Sequence, residues 1–154
     1  MRAMLLQWMP GAIRRAQFAR DRPGRYSLWL SSFSDMYTDF TATDRWTKKK
    51  VHVLYQALIV AIATRHADAV DIKFLVEGRP VWVALPHPAW VEYKKRTGKQ
   101  ITDPLAMDIA GHFLKTALES GEGLGREIYS LTVDETLRHL DAIAAEVESS
   151  VGSR

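Results

Sequence analysis

Two apolar runs of alternating polarity, separated by a glycine, an arginine and a proline, limit what this chain can fold into more than any other feature. In the first, Val70, Ile72, Phe74 and Val76 fall on one side of an extended chain, and Asp71, Lys73 and Glu77 fall on the other. After Gly78, Arg79 and Pro80 the run from Val81 to Leu85 alternates again. An antiparallel hairpin is therefore expected, with strands over 70–77 and 81–85. Pro86, His87 and Pro88 end it, because proline cannot continue a central ladder.

The segment just before the hairpin reads as its packing partner. From Asp44 or Trp46 to His66 the pattern is helical, and Val51 to Ala63 is apolar on nearly every side, as in a helix buried in the middle of a domain. The apolar face of the hairpin is expected against that helix, over 49–65. Further upstream, Tyr26, Leu28 and Leu30 alternate with Ser27 and Trp29 as a strand, and 31–44 reads as an irregular connection carrying Phe33, Met36, Tyr37 and Phe40. Downstream, a short helix over 89–96 stops at Gly98, and a second begins at Asp103 and Pro104 and runs to Gly121. Residues 127–131 read as a short strand. Thr132 and Glu135 have the spacing of a capping box that opens the last helix, whose apolar face is Val133, Leu137, Leu140, Ile143, Ala144 and Val147.

These elements define an α+β domain, an antiparallel sheet built on the central hairpin and packed by helices. Two arrangements fit the order: a ferredoxin-like β-α-β-β-α-β sandwich with an extra C-terminal helix, or a hairpin-based sheet with helices on one face. Residues 1–24, rich in arginine and closed by Pro23 and Gly24, read as an N-terminal arm or short helix; 25–149 form the domain and 150–154 a frayed tail.

Composition removes several chemistries. The 154-residue chain has no cysteine, which excludes disulfides, a thiolate nucleophile, thiolate-held zinc and iron–sulfur clusters. No phosphate-loop or serine-hydrolase signature occurs. The glycines at 121, 123 and 125 follow a helix and precede a strand, the reverse of a dinucleotide fingerprint, and read as a connector. No cofactor and no metal are expected. The first nine residues are too short and too interrupted for a secretory leader, and the 13 residues Val51–Ala63 fall short of the about 20 that span a bilayer, so a cytoplasmic protein without membrane contact is expected.

Charge is unevenly spread. Residues 1–100 hold seventeen Lys/Arg against eight Asp/Glu, and residues 101–154 hold four against ten. Within the basic part, Arg45, Trp46, Lys48, Lys49 and Lys50 form one cluster and Trp90, Lys94, Lys95 and Arg96 another. Cations beside aromatics suit phosphate contact with base stacking. Two histidines and one aspartate carry most interest as a polar site. His87 is held between two prolines, and Asp108 and His112 are four apart on one helix face. Glu135 and His139 repeat that spacing, and His66 lies near Asp68 and Asp71.

No set of nucleophile, base and stabiliser converges in this sequence. The first reading is therefore a non-catalytic binding or assembly module acting through protein–protein contacts, as a homodimer or with another protein. The charge asymmetry and the apolar residues Phe18, Phe33, Met36, Tyr37 and Phe40 favour self-association. A nucleic-acid-binding protein using residues 1–100 is the second reading, and a small enzyme or ligand-binding domain with a site near His87 or His112 is the third.

Overall fold

The computed structural model describes residues 36–61, 69–121 and 125–152. The expected arm over 1–24, the strand over 26–30, Phe33, His66 and Asp68 lie outside those residues. Among the described residues, five strands and three helices follow in the order β1 (Asp39–Thr43), β2 (Lys50–Ala61), β3 (Ala69–Val76), β4 (Arg79–Pro86), α1 (Pro88–Thr97), α2 (Asp103–Ser120), β5 (Ile128–Ser130) and α3 (Val133–Val151). The strands lie side by side in chain order, β1 to β4 as an antiparallel meander and β5 parallel to β4. The fold is α+β, a sheet packed by helices. Its sequential strand order is a meander, which differs from the interleaved order of a ferredoxin-like sandwich.

The hairpin forms as its alternation requires. Val70 pairs with Leu85, Ile72 with Val83 and Phe74 with Val81, so these residues share one face. Its turn comes one residue earlier than the proline suggests. Glu77 and Gly78 make a two-residue turn with φ of 49° and 77°, both left-handed, which matches the twist of the flanking strands. Ile72, Phe74, Val83 and Leu85 are fully buried and Val70 and Val76 nearly so.

The partner of that face is not a helix over 49–65. Lys50–Ala61 is the long strand β2, and the face is covered instead by Ala106, Ile109, Ala110, Leu114 and Leu118 of α2 and by Leu140, Ile143 and Val147 of α3. A bulge at Gln56 explains how β2 imitates a helix. The register places Val53 and Tyr55 inward against Val76 and Phe74, then jumps, so that the next inward residue is Leu58, with Val60 on the same side but exposed near the end of the strand. The step of three from Tyr55 to Leu58 breaks the period of two. Leu54, Ala57 and Ile59 make the opposite side apolar as well, so the run has no polar side to mark it as a strand.

The 31–44 connection also holds more order than its composition predicts. β1 occupies 39–43, Tyr37 is buried and Phe40 adjoins the core, so these two aromatics serve the domain's own interior.

Helix boundaries follow local chemistry. Gly98 and Gly121 end α1 and α2 in left-handed conformation, at φ of 71° and 75°. The cap of α2 is Thr102 rather than Asp103; its hydroxyl accepts the Leu105 N–H at 3.4 Å, which puts Asp103 and Pro104 in the first turn. At α3 the capping box is complete. Thr132 Oγ1 accepts the Glu135 N–H at 3.2 Å, and the Glu135 carboxylate accepts the Thr132 N–H at 2.8 Å. The Thr132 N–H and then the Thr132 hydroxyl, both donating to it, hold the Glu135 carboxyl below its ordinary pKa. Thr132→Ala is expected to cost about 1 kcal/mol, read from the midpoint of urea unfolding at unchanged slope.

Candidate functional site

Where α2 crosses α3, four polar side chains from three segments meet. His112 lies one turn past Asp108 on α2, while His139 and Glu146, seven apart, share a face of α3. Tyr37 arrives from the turn before β1. His112 Nδ1 lies 2.8 Å from His139 Nδ1. On the far side of the same ring, Nε2 is 3.6 Å from Glu146 Oε1, and the Tyr37 hydroxyl donates to Glu146 Oε2 at 3.1 Å. The rings pack edge-on: Tyr37 on His112, His112 on His139 and Phe113 on His139.

These contacts favour one arrangement of protons. Two imidazole nitrogens 2.8 Å apart need one hydrogen between them. Glu146 favours a proton on His112 Nε2, which leaves His112 Nδ1 as acceptor and makes His139 Nδ1–H the donor. Burial pushes the pKa of both histidines down. His112 is lowered further by Lys115 against the opposing pull of Glu146 and Glu119, and His139 by His112 and Arg138. Burial, then the charge of Glu146, pushes the Tyr37 hydroxyl up, with smaller contributions from Asp108 and Glu119. Asp108, fully buried, belongs to the same neighbourhood. The arrangement can hold and share a proton, but both nitrogens of His112 face other residues of the protein.

Close backbone approach makes this packing. A Cβ on Gly111 would lie 2.4 Å from Tyr37 Cβ, so only glycine lets Tyr37 sit against α2 beside His112.

The other positions marked in the sequence have separate places. Arg45 and Trp46 lie in the β1–β2 turn and dock on the end of α2. Arg45 donates to Ser120 O and Trp46 Nε1 to Gly121 O, each at 3.1 Å. They supply donors to the exposed carbonyls of a helix end. Lys48, Lys49 and Lys50 do not begin a helix. Lys48 occupies a left-handed turn position at φ 58° and Lys50 opens β2. Trp90, Lys94, Lys95 and Arg96 lie on α1, with Trp90 against the core, Arg96 paired to Glu92 at 3.0 Å, and the three cations in the last turn, where the helix dipole favours them. The two basic clusters are thus anchored to different elements. His87 precedes α1, its ring edge-on to Trp90, and borders an open groove of about 410 Å³ with Pro88, Val91, Glu92 and Lys95. Glu135 is engaged by Thr132, so His139 reaches His112 instead.

The sheet face turned away from the helices forms a second surface. Register sets its rows: Leu54, Leu75 and Pro80; Ala57, Lys73, Trp82 and Ile128; Ile59, Asp71, Ala84 and Ser130. The main hydrophobic cluster and the residues adjoining it come from the opposite face, while on this face Ala69 and Ala84 are buried and Leu54, Ala57, Leu75 and Trp82 are half-buried. Ile59 is 46% and Ile128 38% exposed. Lys73 and Asp71 stand two apart on the middle strand, with Lys73 Nζ 5.7 Å from the Trp82 ring.

No family model, no curated protein and no solved structure matches this chain. Among the described residues no helix is long and apolar enough to cross a membrane.

Proposed function

We propose that the chain is a non-catalytic assembly module that pairs with a second copy of itself through the outer sheet face. The observation carrying this reading is the composition of that face. Leu54, Leu75, Ile59, Trp82 and Ile128 form an apolar field across β2 to β5, and its middle strand carries one acid and one base. A two-fold axis between Asp71 and Lys73 sets the Lys73 of each copy against the Asp71 of the other, so the face is complementary to itself. Apolar area supplies the affinity and the charges set the register. Tyr37 and Phe40 no longer contribute, since they fill the domain's own core. The non-catalytic part of the reading rests on His112, whose Nδ1 is hydrogen-bonded to His139 and whose Nε2 faces the Glu146 carboxylate at 3.6 Å.

Charge reversal tests it. Lys73→Asp leaves two acids on the middle strand and Asp71→Lys leaves two bases, so each variant alone is expected to stay monomeric in sedimentation analysis. Mixed in equal amounts, they are expected to form the heterodimer. Variants that associate alone as well as the wild type does, or a mixture that stays monomeric, would remove this face from the contact.

A further inference from the structure

We propose that the His112–His139 pair is a pH-sensitive clasp between α2 and α3, closed while at most one of the two rings is charged and opened when both are protonated. The clasp is one hydrogen bond between facing Nδ1 atoms 2.8 Å apart. With both rings neutral, or with one proton added, one Nδ1 carries hydrogen and the other accepts. With two protons added, each Nδ1 carries hydrogen, no acceptor remains, and two cations face each other within a half-buried crossing.

The surrounding charges set where this happens. Glu146 and Glu135 of α3 and Glu119 of α2 favour a first proton, while Lys115 of α2 and Arg138 of α3 oppose it. Tyr37, packed on His112 from the turn before β1, is neutral and donates to Glu146. Asp108 of α2 lies on the Tyr37 side, and Tyr129 of β5 packs on Phe113 behind His139. Glu146 can therefore balance one imidazolium, not two. Burial also keeps both native rings neutral to lower pH than in the unfolded chain. The sign follows: the unfolded state takes up protons first, so stability is complete above the ordinary histidine pKa and falls as pH drops through it. For each ring that stays neutral in the native state, the unfolding equilibrium constant rises up to about tenfold per pH unit.

Thermal unfolding between pH 7.5 and 5, on the wild type and on His139→Gln, tests the clasp. The wild type is expected to lose stability steeply below pH 6.5. His139→Gln, with one titrating partner removed, is expected to lose at least half of that slope. An unchanged slope in His139→Gln overturns the proposal. If that variant fails to fold, ring-nitrogen NMR of the wild type decides. Hydrogen on His139 Nδ1 and His112 Nε2 at pH 7.5, with midpoints below the ordinary histidine value, is the expected result; two rings titrating independently at that ordinary value overturn it.

Discussion

Phe74→Ala is expected to lower the unfolding free energy by about 3–5 kcal/mol, the range for deleting a buried aromatic ring from a core that relaxes only in part. Phe74 has no solvent exposure and sits at the centre of the middle strand, opposite Val81 on one side and Tyr55 on the other, with the Tyr55 ring edge-on at 5.9 Å. It belongs to the cluster in which α2 and α3 close over the sheet. Its removal opens a cavity between the sheet and the helices that cover it. Urea unfolding followed by far-ultraviolet dichroism measures the loss, and a value under about 1 kcal/mol would contradict the burial of this face.

Gly111→Ala is the second large effect, and here the sign is the test. On an exposed helix the same change stabilises by about 1 kcal/mol through propensity alone. In α2 the new methyl would meet Tyr37 Cβ at 2.4 Å and Cγ at 2.9 Å, atoms that cannot swing aside as the end of a long side chain could. Overpacking of this kind costs about 1–3 kcal/mol and moves either the helix or the turn before β1. The clash is with Cβ, so Tyr37→Ala is not expected to relieve it. A Gly111→Ala protein more stable than the wild type would show that the turn gives way freely.

How much of this was legible in the sequence depends on the range of the forces involved. The hairpin, the glycine helix ends and the capping box at Thr132 and Glu135 are local, decided by residues within four positions of one another, and they appear as expected apart from small shifts at the turn and at Thr102. Strand β2 was misread because the bulge at Gln56 and a second apolar side removed the alternation that identifies a strand. The residues that the hairpin buries were right; the element covering them was wrong, because covering is decided by elements tens of residues downstream. In the polar cluster, Asp108 and His112 stood out by spacing. His112 in fact reaches His139, 27 positions away, and Tyr37 reaches Glu146, 109 positions away, pairs that only the crossing of α2 and α3 brings together. The spacing of seven between His139 and Glu146 was the one available signal, since it places both on a single helix face. Trp46 looked like a stacking platform for the same reason: nothing nearby in sequence announces that its indole caps a helix ending at Ser120.

Self-association through the outer sheet face can be read from the mass of the wild-type protein in solution. Light scattering at micromolar concentration is expected to give about twice the 17.5 kDa of one chain. Because apolar burial supplies the affinity, that mass is expected to persist from low to moderate salt, where exposed ion pairs alone would be screened. A mass of one chain throughout that range would contradict the account.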